Sequence, residues 1–204
     1  IVSGFGGAGA YSDGKLTLSP DVGGRLSALL EPAALGRLID YVDSVYVRFG
    51  APDRLFGVSP EVEALTTRAT LAGLRLVPVK LRHLGCEYCG RVLDAMRAYL
   101  RQKVDIRVHV NVVDVDCPGG RVASVRTAAG EVLRCRFLIC APGREGAEWL
   151  TGIALRHGLT VEANPVDVGV RVELPAPVMA ELSRVLYEAK LEYYSSTFDD
   201  RVRT

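Results

Sequence analysis

Hydrophobic residues recur at three- and four-residue steps over several stretches of the chain, which is the period of an amphipathic helix. The clearest stretch runs from Leu35 to Phe49, and Gly50 and Pro52 end it. The same period predicts further helices near residues 60–70, 87–102 and 148–157, and a last one after Pro175. Five helices are therefore expected.

A two-residue period, typical of a half-buried strand, follows the third of these helices. It covers Ile106–Val112, and glycine turns then separate two short strands near 122–125 and 132–133, so this part is predicted to be a β-meander. Further strands are predicted at Leu74–Leu81, at the apolar run Phe137–Ala141 and at Val166–Leu174. Helices mixed with strands predict an α/β (α+β) fold.

The composition narrows the class of protein. The 204 residues carry a net charge of +1, so no basic excess favours a nucleic-acid or acidic-membrane partner. The longest apolar run has only the length of a strand, which predicts a soluble chain. Five cysteines at irregular spacing do not suggest a disulfide framework, so a reducing cytoplasm is expected.

Two glycine-containing segments carry the strongest chemical signal. Gly4–Gly14 is rich in glycine, and the apolar run Phe137–Ala141 ends in the turn Pro142-Gly143. Backbone without Cβ atoms can approach a pyrophosphate or a flavin closely, and a turn after an apolar strand is where α/β proteins bind nucleotides. A flexible surface loop is the alternative for the first segment.

The chain resembles a family of bacterial and archaeal FAD-dependent dehydrogenases, mostly of undetermined substrate, with a glutathione-reductase-type FAD-binding domain. The segments that carry this resemblance are SGFGGAGAYSDGKLTLSPDVGG, GRVASVRTAAGEVLRCRFLICAPGREGAEWL, NPVDVGVRVELP and LEYYSSTFDDRVRT. They occur in that order and cover nearly the whole chain. The resemblance implies a flavoprotein oxidoreductase that passes a hydride or electrons between FAD and a small molecule or electron partner of unknown identity.

The resemblance also implies a domain layout and a set of FAD-contacting residues. Part of a Rossmann-like FAD-binding domain, with the β-meander, would comprise residues 1–25 and 84–158, interleaved with a substrate-side α+β layer of 26–83 and 159–204. The implied FAD-contacting residues are Gly6, Gly7, Ala8, Gly9, Ser12, Asp13, Gly14, Lys15, Val112 or Val113, Ala141, Gly143 and Arg144.

One departure from the flavoprotein pattern stands out. The chain has no G-x-G-x-x-G after a strand, and no acidic residue some 20 positions beyond one. The first βαβ unit and the C-terminal FAD segment are therefore expected to lie outside this sequence, which would be an internal fragment.

Other candidate residues leave alternatives open. Lys15 could stabilise negative charge on a reduced flavin, and His83 could donate a proton near it. Cys86 and Cys89 form a C-x-x-C at a predicted helix start, where thiol pKa falls, so a dithiol–disulfide oxidoreductase is one alternative. Two ordinary thiols are the simpler interpretation. A non-catalytic domain with a flavoprotein-like fold is the other alternative, and the scattered histidines predict no metal site.

Overall fold

A computed structural model of the protein describes residues 4–12, 14–20, 22–24, 26–163, 166 and 168–203. Within these ranges the fold is mixed, with five α-helices and three small antiparallel sheets. The mixed helix-and-strand class predicted from the sequence is confirmed at this level.

All five predicted helices form. They are α1 (Pro32–Arg48), α2 (Glu61–Leu71), α3 (Gly85–Leu100), α4 (Ala147–Arg156) and α5 (Ala176–Leu186). Proline at the first turn starts α1 and α5, since its missing N–H is not needed there. The hydrophobic period therefore located the helices to within a few residues.

The strands form three separate three-stranded sheets. The strands are β1 (Lys15–Thr17), β2 (Leu55–Phe56), β3 (Arg75–Val77), β4 (Leu81–His83), β5 (Val112–Asp116), β6 (Ser124–Thr127), β7 (Val132–Arg134), β8 (Lys190–Ser195) and β9 (Asp200–Arg203). Their orders are β1-β4-β2, β3-β8-β9 and β5-β6-β7. The last sheet is the predicted β-meander.

The contacts divide the chain into two compact units. One holds the residues up to Ala8 and Ala98–Val170, and the other holds Gly9–Arg97 and the chain from Arg171 onward. We call them the meander unit and the two-sheet unit. Each is built from two separate stretches of sequence. The division into an FAD-side and a substrate-side layer stays a prediction.

The two-sheet unit has two small cores. Leu65, Leu76 and Leu186 pack where α2, β3 and α5 meet. Ala51, Leu84 and Val92 form the second core, beside α3.

A buried ion pair lies in the same unit, between α1 and β4. Arg82 Nε and Nη2 donate to the two carboxylate oxygens of Asp43 at 2.6 and 2.9 Å, and Nη1 donates to the carbonyl oxygen of Pro52. This bidentate geometry satisfies a cation that is only 4% exposed.

The core of the meander unit lies between its sheet and α4. Val115, Val125 and Ile153 are buried together there, with Trp149 packed against them. Trp149 Nε1 donates to the carbonyl oxygen of Val113 at 3.1 Å. α4 thus covers one face of the sheet. Its Trp149 side chain also donates a hydrogen bond to the backbone of β5, which is an edge strand of that sheet.

Four of the predicted strands differ from the structure. Leu74–Leu81 is split into β3 and the start of β4, because Pro78 lies between them and cannot donate to a ladder. In the predicted strand Ile106–Val112, residues before Val112 are not in a strand.

The predicted buried strand Phe137–Ala141 is wrong, because it is neither a strand nor buried. Phe137 is 81% exposed and Ile139 is 93% exposed. The described part of Val166–Leu174 is also irregular, with Val168 93% exposed. A strand needs a neighbour to receive its hydrogen bonds, and neither segment pairs with another among the described residues.

No helix within the described ranges is both long and apolar enough to cross a membrane.

Candidate functional site

An open cleft of about 560 Å³ lies in the meander unit at the turn that follows the apolar run. The turn contributes Ala141 and Gly143, which are both predicted FAD contacts. α4 contributes Leu150 and Ala154, and Glu162 is the charged residue in the lining. The cleft has the volume of an ordinary ligand site and could take part of a dinucleotide.

Two glycines shape this turn in different ways. Gly143 has φ +69°, and a Cβ built there would have no heavy atom within 4 Å, so its backbone faces open space. Gly146 instead permits close packing, since a Cβ there would come within 2.4 Å of the Pro142 Cβ. α4 begins directly after Gly146. Gly143 is therefore the position in this turn where backbone is open to a ligand.

Arg144 lies between these two glycines and is exposed. Its backbone carbonyl oxygen accepts a hydrogen bond from the N–H of Ala147, in the first turn of α4. The turn thus places a cationic residue beside a helix N-terminus, a combination that favours anions.

Val112 and Val113, one of which is a predicted FAD contact, lie at the start of β5. The register of β5 against β6 shifts between Val112 and Asp114, so Val113 lies at a bulge. The carbonyl oxygen of Val113 already accepts the Trp149 indole N–H, and that of Val115 lies 3.0 Å from His157 Nε2. One of the two lone pairs of the Val113 carbonyl oxygen is therefore already used within the protein.

The glycine-rich segment forms a tight turn followed by a short 3-10 helix, Gly7–Tyr11. The N–H of Gly7 donates to the carbonyl oxygen of Gly4 at 2.9 Å. Gly6 and Gly7 have φ +90° and +57°, so both occupy backbone conformations that favour glycine. A Cβ at Gly7 or Gly9 would meet nothing within 4 Å. Ala8 belongs to the same helix. Asp13 lies outside the described residues.

Gly14 has a packing explanation. Its φ is +73°, and a Cβ there would lie 2.4 Å from Cys89 Sγ. The Ser12 hydroxyl accepts a hydrogen bond from the Gly14 N–H at 3.2 Å, and the Gly14 carbonyl accepts one from the N–H of Leu84. The Cys89 thiol therefore occupies the space beside Gly14 that a ligand would need.

Lys15 begins β1, and its charge is already paired. Lys15 Nζ lies 2.5 Å from Glu188 Oε2, and Lys190 Nζ lies 3.3 Å from Glu188 Oε1. Burial, the largest influence, would raise the pKa of Glu188, but hydrogen bonds from Lys15 and Lys190 outweigh it and the pKa lies below its usual value. A flavin-stabilising role for Lys15 would have to compete with this carboxylate.

His83 ends β4 directly opposite Lys15 in the strand register. Its imidazole stacks on the ring of Tyr187, with centroids 4.2 Å apart, and its Nε2 lies 2.7 Å from the Tyr187 hydroxyl oxygen. Both residues are half-buried. This pair brings a base and a phenol into direct contact in the two-sheet unit.

The two cysteines of the C-x-x-C are in unlike environments. Both are thiols in the first turns of α3, but Cys86 is exposed and Cys89 is buried. Cys89 packs in the core with Leu84 and Val92. This favours a packing role for Cys89, and the dithiol hypothesis stays a prediction. Within the described ranges there is no group of three or more His, Cys, Asp or Glu residues that could hold a metal.

Sequence reasoning missed the residues that complete these sites. Tyr187, Glu188 and Trp149 were not singled out, because each meets a partner distant in the chain. No local spacing signals such contacts. His83 was singled out, but its partner lies 104 positions away.

Comparison with known proteins gives no match: no family model fits the chain, and no curated protein is significantly similar to it.

Proposed function

We propose that the chain is part of an FAD-dependent oxidoreductase, a dehydrogenase that passes a hydride or electrons through a flavin. The observation that carries the proposal is the cleft at Ala141 and Gly143. It lies at one of the two segments that the sequence pattern selects for a dinucleotide. It follows a β-meander, as the resemblance to the flavoprotein family implies.

The chemistry of the cleft is compatible with a phosphate-containing cofactor. The open backbone at Gly143 and the start of α4 supply N–H donors at the cleft. Arg144 follows Gly143 in the chain but is not in the lining, whose charged residue is Glu162. The position of Gly7, in the same unit, is also open, with nothing within 4 Å of a Cβ. These residues would hold FAD, and the flavin would supply the redox chemistry.

Two predicted FAD contacts support the proposal less well. Gly14 is packed against Cys89, and Lys15 is paired with Glu188. Their places in the sequence have explanations within the protein itself. We therefore base the proposal on the cleft residues and on Gly6, Gly7 and Ala8, which belong to the same unit.

The remaining parts of the proposal follow from the composition. The protein would act with a small-molecule substrate or an electron partner of unknown identity. The near-neutral charge gives no reason to propose a nucleic-acid or membrane partner. We place the protein in the cytoplasm, because five irregularly spaced cysteines suit a reducing compartment.

The test compares two matched glycine variants. Gly143→Asp puts a carboxylate into the cleft at φ +69°, and Gly130→Asp puts one into the β6-β7 turn at φ +86°. Aspartate tolerates such backbone angles, and both positions are open, so the two variants carry similar strain. FAD binding is followed by the quenching of flavin fluorescence. We expect at least a tenfold weaker affinity for Gly143→Asp and little change for Gly130→Asp. Equal affinities for the two variants would contradict the assignment of the cleft.

A further inference from the structure

The His83–Tyr187 pair is held by contacts from three elements. His83 ends β4, Tyr187 follows α5, and Phe56 of β2 packs on the Tyr187 ring with centroids 5.4 Å apart. Stacking and hydrogen bonding together fix the phenol oxygen 2.7 Å from Nε2. In the imidazole tautomer with its proton on Nδ1, the hydroxyl donates to Nε2.

The backbone at Tyr187 is strained. Tyr187 has φ +64° and ψ −55°, close to the angles of a rare γ-turn, at a helix end where glycine is the usual residue. Strain of this kind persists only when surrounding contacts hold it, and it is often found at functional sites. Glycine would adopt this backbone conformation with less strain. The chain nevertheless has a tyrosine at this position, and the contacts of its ring hold it there.

A charged cluster of Lys15, Glu188 and Lys190 adjoins the pair through Lys15 and through the chain at Tyr187. Lys15 is the register partner of His83, and its ammonium pairs with Glu188, the residue after Tyr187. Lys190 Nζ lies 3.3 Å from the other carboxylate oxygen of Glu188. The two lysines and one glutamate give this cluster a net charge of +1, which suits the transient formation of a phenolate.

We propose that His83 and Tyr187 form a proton-transfer site, in which His83 accepts the phenol proton and Tyr187 takes a proton from the hydroxyl or amine of a small-molecule substrate. This role rests on the proposed oxidoreductase function. In this transfer the O–H or N–H bond of the substrate would break and the O–H bond of Tyr187 would form again, while the proton that Tyr187 gave up would be held on His83 Nε2.

The basicity of the pair can be tested without flavin or substrate. An arylsulfonyl fluoride reacts with a tyrosine when a neighbouring base takes the phenol proton. The S–O bond forms, the S–F bond breaks, the proton goes to His83, and fluoride leaves. The cofactor-free chain is incubated with the reagent, and mass spectrometry of its peptides gives the labelling rate of each tyrosine.

We expect Tyr187 to be labelled at least tenfold faster than Tyr41, which is 66% exposed. His83→Gln should lower the Tyr187 rate at least tenfold, since glutamine can hydrogen-bond but cannot take the proton. The control His109→Gln, at an exposed position, should leave it unchanged. Labelling of Tyr187 no faster than Tyr41 in the wild type would overturn the proposal, and so would a rate independent of His83. Because the assay contains no flavin, it fails or succeeds separately from the test of FAD binding.

Discussion

The buried pair of Arg82 and Asp43 allows the sharpest prediction about stability. Asp43→Ala removes the acceptor of two charge-assisted hydrogen bonds, 2.6 and 2.9 Å long, and leaves a guanidinium whose side chain is only 5% exposed. The Pro52 carbonyl then remains as the acceptor within the observed network. Removing one partner from a buried pair costs about 3–5 kcal/mol. That is a large part of the stability of an ordinary domain, which is about 5–15 kcal/mol.

Urea denaturation measures this cost, and a surface pair in the same unit provides the control. Glu181→Ala breaks an ion pair in which Arg68 Nη1 donates to both carboxylate oxygens, but the Arg68 and Glu181 side chains are 63% and 56% exposed. Water screens such a pair, so we expect a loss of at most about 1 kcal/mol. A double variant, Asp43→Leu with Arg82→Met, should recover most of the loss, because no unpaired charge remains buried. Equal losses for Asp43→Ala and Glu181→Ala would refute the reasoning.

The same pair predicts an acid limit. The hydrogen bond from Arg82 is the main cause that lowers the pKa of Asp43 below its usual value near 3.8. Because the folded pKa is the lower one, the contribution to stability is complete above about 3.8 and is lost as the pH falls through the folded value. Asp43→Asn should flatten this part of the pH-stability curve.

Two further predictions concern packing. Gly14→Ala should cost about 2–5 kcal/mol in urea denaturation, from a left-handed backbone and a clash with Cys89, and Cys89→Ala should restore the part due to the clash. A Gly14→Ala variant as stable as the wild type would show that Gly14 and the Cys89 sulfur are less closely packed than described. Trp149→Phe should cost about 1 kcal/mol, since it removes the donor to the Val113 carbonyl but keeps an aromatic ring in the core. Hydrogen exchange at β5 should rise in this variant, and unchanged exchange would argue against a role for α4 in protecting that strand.

Local patterns in the sequence were enough to locate the helices and the meander. Each predicted helix depends on a repeating apolar stripe and on capping or breaking residues such as Pro32 and Gly50, and these act within one or two turns. The meander likewise depends on turns between neighbouring strands. Interactions of short range thus determine most of the secondary structure.

The predicted strand Phe137–Ala141 failed for the opposite reason. An apolar run has the composition of a buried strand, but pairing depends on a neighbour that local pattern does not reveal. The described residues provide none, and Ile139 remains 93% exposed. Gly14 shows the same limit at the candidate site. From the sequence, the missing side chain could make room for a ligand or for another part of the protein, and only the position of Cys89 in the structure distinguishes these explanations.

The central claim is that this chain is part of a flavin-dependent oxidoreductase. The most direct test is an absorbance spectrum of the protein, purified at the full length that its gene encodes. We predict the visible bands of bound flavin, and release of FAD when the protein is denatured. A folded, colourless protein that does not bind added FAD would contradict the account.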